Sequence, residues 1–408
     1  MVKEKYQFSI VETSYNVVAS RLESIRKKNI TKTGYRVYKD GLIGIYGQLG
    51  QPEQEPWSEA EENLGNKLAY PFEPVKDRSE TRCLVSSLDD ARLFSELEAV
   101  LAIARDKHPD FSISNKVNLT DTTVTLSNDQ GTWLSHQDKV LSVGLLLKHK
   151  DSTSIFDTGL MYQAREWDRA YFLRGLEEMT RSFNTLLPLP DEEVCIVAEA
   201  SLLASKLASE LHGEKVGFKS SLLLEDFGRQ AFSKDFTFYL DFDEKEQYNV
   251  PFFDAEGTII PEQRVDLIKN GIVLRAYTDR RTAGRFGMLL TGSAACAYDG
   301  VPALGASNFN IERSPKTVRE LLDGRPGVVI IMASGGDFTE EGKFATPVQL
   351  ALLTDGEKFL GRLPEFHISG DLYEIFGQNY IGYSADRFLS GEHALVVKMD
   401  IEKPQATT

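Results

Sequence analysis

The chain has 408 residues, 41% of them hydrophobic and 26% charged, which is a globular composition and length enough for two cores. Its net charge of −15 repels a phosphate backbone and argues against nucleic acid as a partner. Three widely spaced cysteines, Cys83, Cys195 and Cys296, argue against a disulfide framework and for a reducing cytoplasm, while no apolar run approaches the ~18 residues of a membrane span and residues 1–10 lack a signal-peptide core.

In chain order, residues 8–11, 17–25 and 35–37 are short β-rich runs and Asp40-Gly41 is a tight turn into 42–46, so the chain opens as a β-meander. Residues 58–68 read as a helix capped by Ser58, with Glu61 three positions on, followed by a Pro-rich connection. The clearest helix of this half is 89–107. There Leu93, Leu97, Val100, Leu101 and Ala104 recur at helical spacing, and acids at the start and Arg105 and Lys107 at the end complement the dipole. Short strands return over 111–148, broken at 128–131, and 167–187 is a further helix with Phe172, Leu176, Met179 and Phe183 on one side. Two prolines and three acids at 187–193 place a junction between an N-terminal domain, 1–188, and a C-terminal domain, 189–408.

The second half opens with a helix over 197–212 carrying Leu202, Leu203, Leu207 and Leu211, with Gly213 as its C-cap. Two apolar runs, 265–268 and 272–277, meet at Asn270-Gly271, a dipeptide suited to a type I′ hairpin turn, and a basic turn with Gly284 and Gly287 follows. Ser314 with Pro315 starts a helix over 316–322, 328–332 is a buried-type strand, and 348–353 and 358–363 flank an Asp355-Gly356 turn. A last strand over 394–399 leads into a tail, 402–408, expected to fray. The fold class is therefore α+β: two domains, each a mostly antiparallel or mixed sheet with packed helices.

Side chains with reactive chemistry are dispersed. The six histidines, His108, His136, His149, His212, His367 and His393, include no pair at the spacing of a helical zinc motif. Cys296 follows Gly292-Ser293 without a nucleophile elbow or an adjacent histidine and reads as core packing. The run Ser334-Gly335-Gly336-Asp337 reads as a turn whose backbone N–H groups could also meet a carboxylate or a peptide. Arg280, Arg281 and Arg285 read as surface ion-pairing residues or as a place for an anionic group.

The order of these segments resembles the TldD/PmbA family. The matching residues are Asp254-Ala255-Glu256-Gly257-Thr258, Leu267-Ile268-Lys269-Asn270-Gly271, Arg281-Thr282-Ala283, Asn308, Ser334-Gly335-Gly336-Asp337-Phe338 and Ile368-Ser369-Gly370-Asp371-Leu372. Near the N-terminus, Gly34-Tyr35-Arg36-Val37 and Asp40-Gly41-Leu42-Ile43-Gly44 match as well. The catalytic branch of that family carries HExxxH on the helix that opens the second domain, and a cysteine near the C-terminus, as zinc ligands and acid/base. At the corresponding positions this chain has Ala204, Ser205 and Ser209, and it has no cysteine after Cys296.

The resemblance thus implies the PmbA branch, also called TldE, with no catalytic residue, metal or cofactor in this chain. Zinc would belong to a TldD-like catalytic partner, and the pair would process unfolded or modified peptides. Ser334, Gly335, Gly336, Asp337 and Arg281 would line the substrate cleft, and residues 254–287 would shape a cleft wall or subunit contact. The chain departs from that branch by running straight into strand where the family usually has an N-terminal helix. Two other readings stand beside it: a stand-alone hydrolase around Cys296 or His367, and a homodimeric peptide-binding or regulatory protein, to which the family's association with DNA gyrase belongs.

Overall fold

A computed structural model gives the fold of all residues except 85, 155–156, 191–193, 389–390 and 404–408. The chain begins with two long strands, β1 (Val2–Val18) and β2 (Arg21–Lys39), paired antiparallel along their whole length. Ala19 and Ser20, both at positive φ, make the turn between them. The expected run over 17–25 therefore crosses a hairpin. Its polar residues hide the strand because residues 23–27 are exposed on both faces, so no in-out alternation marks them. Asp40 and Gly41, also at positive φ, turn the chain into β3 (Leu42–Leu49).

Helix α1 (Trp57–Glu62) is shorter than the expected 58–68. Pro56 occupies its N-cap, Ser58 bonds Glu59 instead of capping, and residues 63–66 tighten into a 3₁₀ turn. Strands β4 (Leu68–Ala69) and β5 (Ser79–Leu84) precede α2 (Asp90–Lys107), which Asp89 caps by accepting from the Arg92 N–H. The expected apolar stripe of α2, from Leu93 to Ala104, is its buried face. Two more long strands, β6 (Phe111–Asn128) and β7 (Trp133–His149), replace the short ones expected. They are joined where the Asn128 side chain accepts from the Gln130 and Thr132 N–H groups. Strand β8 (Thr158–Ala164) and α3 (Arg169–Asn184) complete this half, and the buried residues of α3 include Phe172, Leu176, Met179 and Phe183. The sheet order is β4-β3-β2-β1-β6-β7-β5, with β8 also on β7; only β5 is parallel to its neighbour.

The acids of the expected junction, 191–193, and most of the expected frayed tail, 404–408, lie outside the described residues. Past the junction, Cys195–Ala198 is not helix but a buried strand, β9, lying between two partners. The helix α4 (Ala200–Glu210) starts only afterwards. Gly213 is not its C-cap but the first residue of α5 (Gly213–Gly217); a Cβ there would lie 2.6 Å from the Tyr277 carbonyl oxygen, so glycine serves close packing.

Next come β10 (Phe238–Asp241), β11 (Arg264–Lys269) and β12 (Ile272–Val273), with Asn270 and Gly271 at positive φ in the expected hairpin turn. Helix α6 (Arg280–Phe286) is capped by Asp279 and closed by left-handed Gly287. Strands β13 (Ala294–Ala295), β14 (Ala303–Leu304) and β15 (Phe309–Ile311) lead to α7 (Val318–Leu322). The cap of α7 is Thr317, reciprocated by Glu320 in a capping box, and not Ser314.

The last stretch is β16 (Gly327–Ala333), β17 (Asp337–Phe338), β18 (Lys343–Thr354), β19 (Phe359–Arg362), β20 (Phe366–Asp371), α8 (Leu372–Phe376), β21 (Tyr380–Tyr383), β22 (Leu395–Val397) and β23 (Asp400–Glu402). So β22 is not the final strand: β23 pairs with β20 and places Glu402 of the expected tail in the sheet. The large sheet runs β21-β22-β9-β16-β18-β20-β23, with β17 and β19 also on β18, and a smaller sheet runs β12-β11-β10-β15. The architecture is α+β. One apolar core lies around α4 and α8. A second packs α2 and α3 against β6 and β7 and continues into Val197, Leu321, Val329, Leu352 and Val396, so the two halves share it, and smaller clusters lie beside these two. No helix among the described residues is long and apolar enough to cross a membrane.

Candidate functional site

Strand β9 delivers α4 into the core, and Leu203, Ala204 and Leu207 fix which face of the helix is buried. Ser205 and Ser209 are exposed. A methyl and two hydroxyls offer zinc neither the imidazole nitrogen nor the thiolate it prefers. Their neighbour Glu210 is buried and fully engaged: its Oε1 takes Lys206 Nζ at 2.9 Å and Lys215 Nζ at 2.7 Å, and its Oε2 accepts from the Leu222 N–H at 2.7 Å. Burial pushes the Glu210 carboxyl up, but the lysine bonds outweigh it and hold it below the usual range. Two ammonium groups on one carboxylate are a poor setting for a divalent cation, so zinc does not fit this helix. At its end, His212 packs edge-on against Tyr277 with ring centroids 5.3 Å apart, and burial lowers its pKa.

The loop Ser334–Asp337 lies on the large sheet. Strand β17 continues the line of β16 along β18 after register shifts at Ile330 to Ala333, and Ser334 is tied to Gln349, whose Nε2 donates to its carbonyl at 3.0 Å. All four residues, Ser334, Gly335, Gly336 and Asp337, are exposed. Beyond Val329, where β9 ends its pairing, the outer edge of β16 and β17 meets no strand among the described residues. Past the end of β17, Lys206 Nζ of α4 reaches the Glu340 carbonyl at 3.4 Å. This bond ties the helix that carries Ala204, Ser205 and Ser209 to the turn after β17, and among the described residues no hydrogen bond or ion pair joins that helix to Ser334, Gly335, Gly336 or Asp337. Arg281 is not joined to either by any hydrogen bond or ion pair among the described residues; its guanidinium donates to the Pro302 carbonyl at 3.1 Å.

Gly336 is needed for this geometry, because a Cβ would run into the Ala345 carbonyl and lie 2.6 Å from Thr346 Cα. Gly336→Ala should push β17 off β18 and cost about 1–3 kcal/mol. Limited proteolysis should then cut near 334–337 faster than in the wild type, and an unchanged cleavage rate would refute the close approach.

Neither hydrolase candidate is assembled for chemistry. His367 is exposed on β20, and its side chain makes no hydrogen bond or ion pair among the described residues. Cys296 Sγ accepts from Arg36 Nη2 at 2.9 Å, yet burial dominates and raises its thiol pKa, the opposite of an activated nucleophile.

What sequence reasoning missed is the polar node around that cysteine. Arg36 is fully buried; its Nη1 donates to Glu4 Oε1 at 3.2 Å and to the Ala255 carbonyl at 2.8 Å, and its guanidinium stacks on Tyr6. Tyr38 donates to the same Glu4 oxygen at 2.9 Å. Asp254 accepts from the N–H groups of Glu256, Thr258 and Ala294. Glu256 takes the Tyr70 hydroxyl and, at 3.0 Å, the Arg280 N–H. Burial, then the Asp254 charge, raises Glu256 to about 7, and burial raises Asp254 too. The node locks β1, β2 and the segment after β4 onto residues 254–296. Both segments carry matched family residues, but nothing in sequence says that they meet.

The sequence model of the PmbA/TldA metallopeptidase C-terminal domain matches residues 196–400, half of the chain. The chain belongs to the TldD/PmbA family. An uncharacterized protein of Methanocaldococcus jannaschii is 22% identical over 374 residues, covering 90% of this chain and 87% of that protein. TldE from Thermococcus kodakarensis shares the fold with a TM-score of 0.79 at 16% identity, covering 98% of this chain and 97% of the other. A Bacteroides thetaiotaomicron protein described as a candidate modulator of DNA gyrase gives 0.78 at 16% identity, covering 98% and 94%. The counterpart from Thermotoga maritima gives 0.74 at 17% identity, covering 98% and 96%. These TldD/PmbA likenesses are of fold.

Proposed function

We propose that this chain is a TldE-like, non-catalytic subunit that pairs with an HExxxH-bearing TldD-like zinc peptidase in the cytoplasm and helps it process unfolded or modified peptides. The observation that supports the reading is α4: the positions that the family resemblance matches to the two histidines and the glutamate carry Ala204, Ser209 and Ser205, and Lys206 and Lys215 occupy the adjacent carboxylate. The open edge of β16 and β17 supplies a sequence-tolerant way to hold an extended peptide through backbone hydrogen bonds, with no demand on side-chain identity.

Co-expression with the HExxxH-bearing homologue of the same host tests this. The two chains should co-purify, and chelator-sensitive hydrolysis of an unfolded peptide should need both. A catalytic homologue that is fully active alone, or that ignores this chain, would remove the subunit role. A homodimer that binds peptide without such a partner would favour the regulatory reading.

A further inference from the structure

Helices α5 and α6 pack so closely that a Cβ on Gly217 would lie 2.5 Å from the Phe286 ring. The surface they form is unusually apolar for an exposed one. Phe218 is 56% exposed, Leu289 is 65% exposed and Leu290 is 40% exposed, next to a half-buried Phe286 that meets Phe218 edge-on at 5.1 Å. These side chains sit on fixed backbone: Gly287 closes α6, the Met288 N–H donates to the Ala283 carbonyl, and Thr278 Oγ1 donates to the Leu289 carbonyl. Two exposed leucines that follow α6 in the chain, beside the Phe218–Phe286 ring pair, mark an interaction surface.

Its charge is opposite to that of the chain. Residues 274–290 hold four arginines and one acid, Asp279, which is buried as the cap of α6. Arg285 stacks over Phe218 and Phe286, and Arg281 lies one turn before it on α6. Lys219, Arg281 and Arg285 make no ion pair among the described residues. An isologous dimer through this patch would set these cations against their own copies, which like-charge repulsion disfavours.

We infer that the Phe218–Leu289 face docks a different protein chain, whose matching surface is apolar at its centre and acidic at its rim. This rests on the subunit role proposed above and assigns the surface for it, with the HExxxH-bearing homologue as the occupant. The patch adjoins the end of α4 through the Gly213 N–H, which donates to the Tyr277 carbonyl, so a chain seated there would lie against the helix that lacks the zinc ligands.

The test measures binding of the full-length homologue to the full-length wild type, Leu289→Asp, Arg285→Glu and the control Leu49→Asp, whose leucine is 60% exposed on the other half. Leu289→Asp should weaken binding by about tenfold or more, as loss of an interface anchor does. Arg285→Glu should weaken it and flatten its salt dependence, and Leu49→Asp should leave it unchanged. Equal binding by all four overturns the face while leaving the subunit role standing. No binding by the wild type overturns both. A wild type that is dimeric by native mass and becomes monomeric in Leu289→Asp overturns the choice of a different chain.

Discussion

Replacing Arg36 by methionine should destabilise the protein by about 3–5 kcal/mol, more than any surface change in the chain. The guanidinium is fully buried, and the Glu4 carboxylate it pairs with is 1% exposed. Removing one partner leaves the other charge in low dielectric, and the penalty of that orphan exceeds the value of the pair itself. The Ala255 carbonyl and Cys296 Sγ would lose their donor at the same time, so the N-terminal strands and residues 254–296 would come apart together. Urea unfolding should show a large drop in midpoint for Arg36→Met, and the paired variant Glu4→Gln with Arg36→Met should recover much of it, because no lone charge remains. The exposed Arg319–Glu357 pair is the control and should matter far less. A midpoint for Arg36→Met within error of the wild type would show that the node is wet and not a closure.

That node also shows where the sequence stops being informative. Helices α2 and α3 were legible because their buried faces repeat every three to four residues, and Asp40-Gly41, Asn270-Gly271 and Asp355-Gly356 were legible as turns because positive φ is a local property. The strands β1, β2, β6 and β7 are longer than their apolar pattern, since residues such as those at 23–27 are held by cross-strand hydrogen bonds and not by burial. An apolar run has no period of its own, so Val197 reads equally as helix; its neighbours β16 and β22 decide that it is strand. Of the candidate site, the family motif points to Ala204, Ser205 and Ser209, whereas nothing in the sequence pairs Glu210 with Lys206 and Lys215. The Arg36 contacts join residues 219 and 260 positions apart, a separation at which no spacing rule operates.

Glu256 gives the second large effect, on pH dependence. Its carboxyl rises from 4.5 to about 7, first through burial and then through the charge of Asp254, whose own pKa is raised in the same direction. A folded-state pKa above the unfolded one means that the folded chain holds the proton more tightly. The associated stability is fully present below pH 4.5 and is lost as pH rises through about 7, with the steepest loss between these values. The size is roughly 3 kcal/mol for a shift of this order. Ionised Glu256 would face buried Asp254, and the contacts at stake, with Tyr70 and the Arg280 N–H, hold the segment after β4 against α6. Glu256→Gln is neutral at every pH, and its side-chain carbonyl can still accept from the Arg280 N–H. The variant's thermal midpoint should therefore vary less between pH 5 and pH 8 than that of the wild type, and the two should diverge most at pH 8, in favour of the variant. A wild type whose stability rises steadily across that window, or a variant with the same slope, would show that the Glu256 proton does not set the pH dependence.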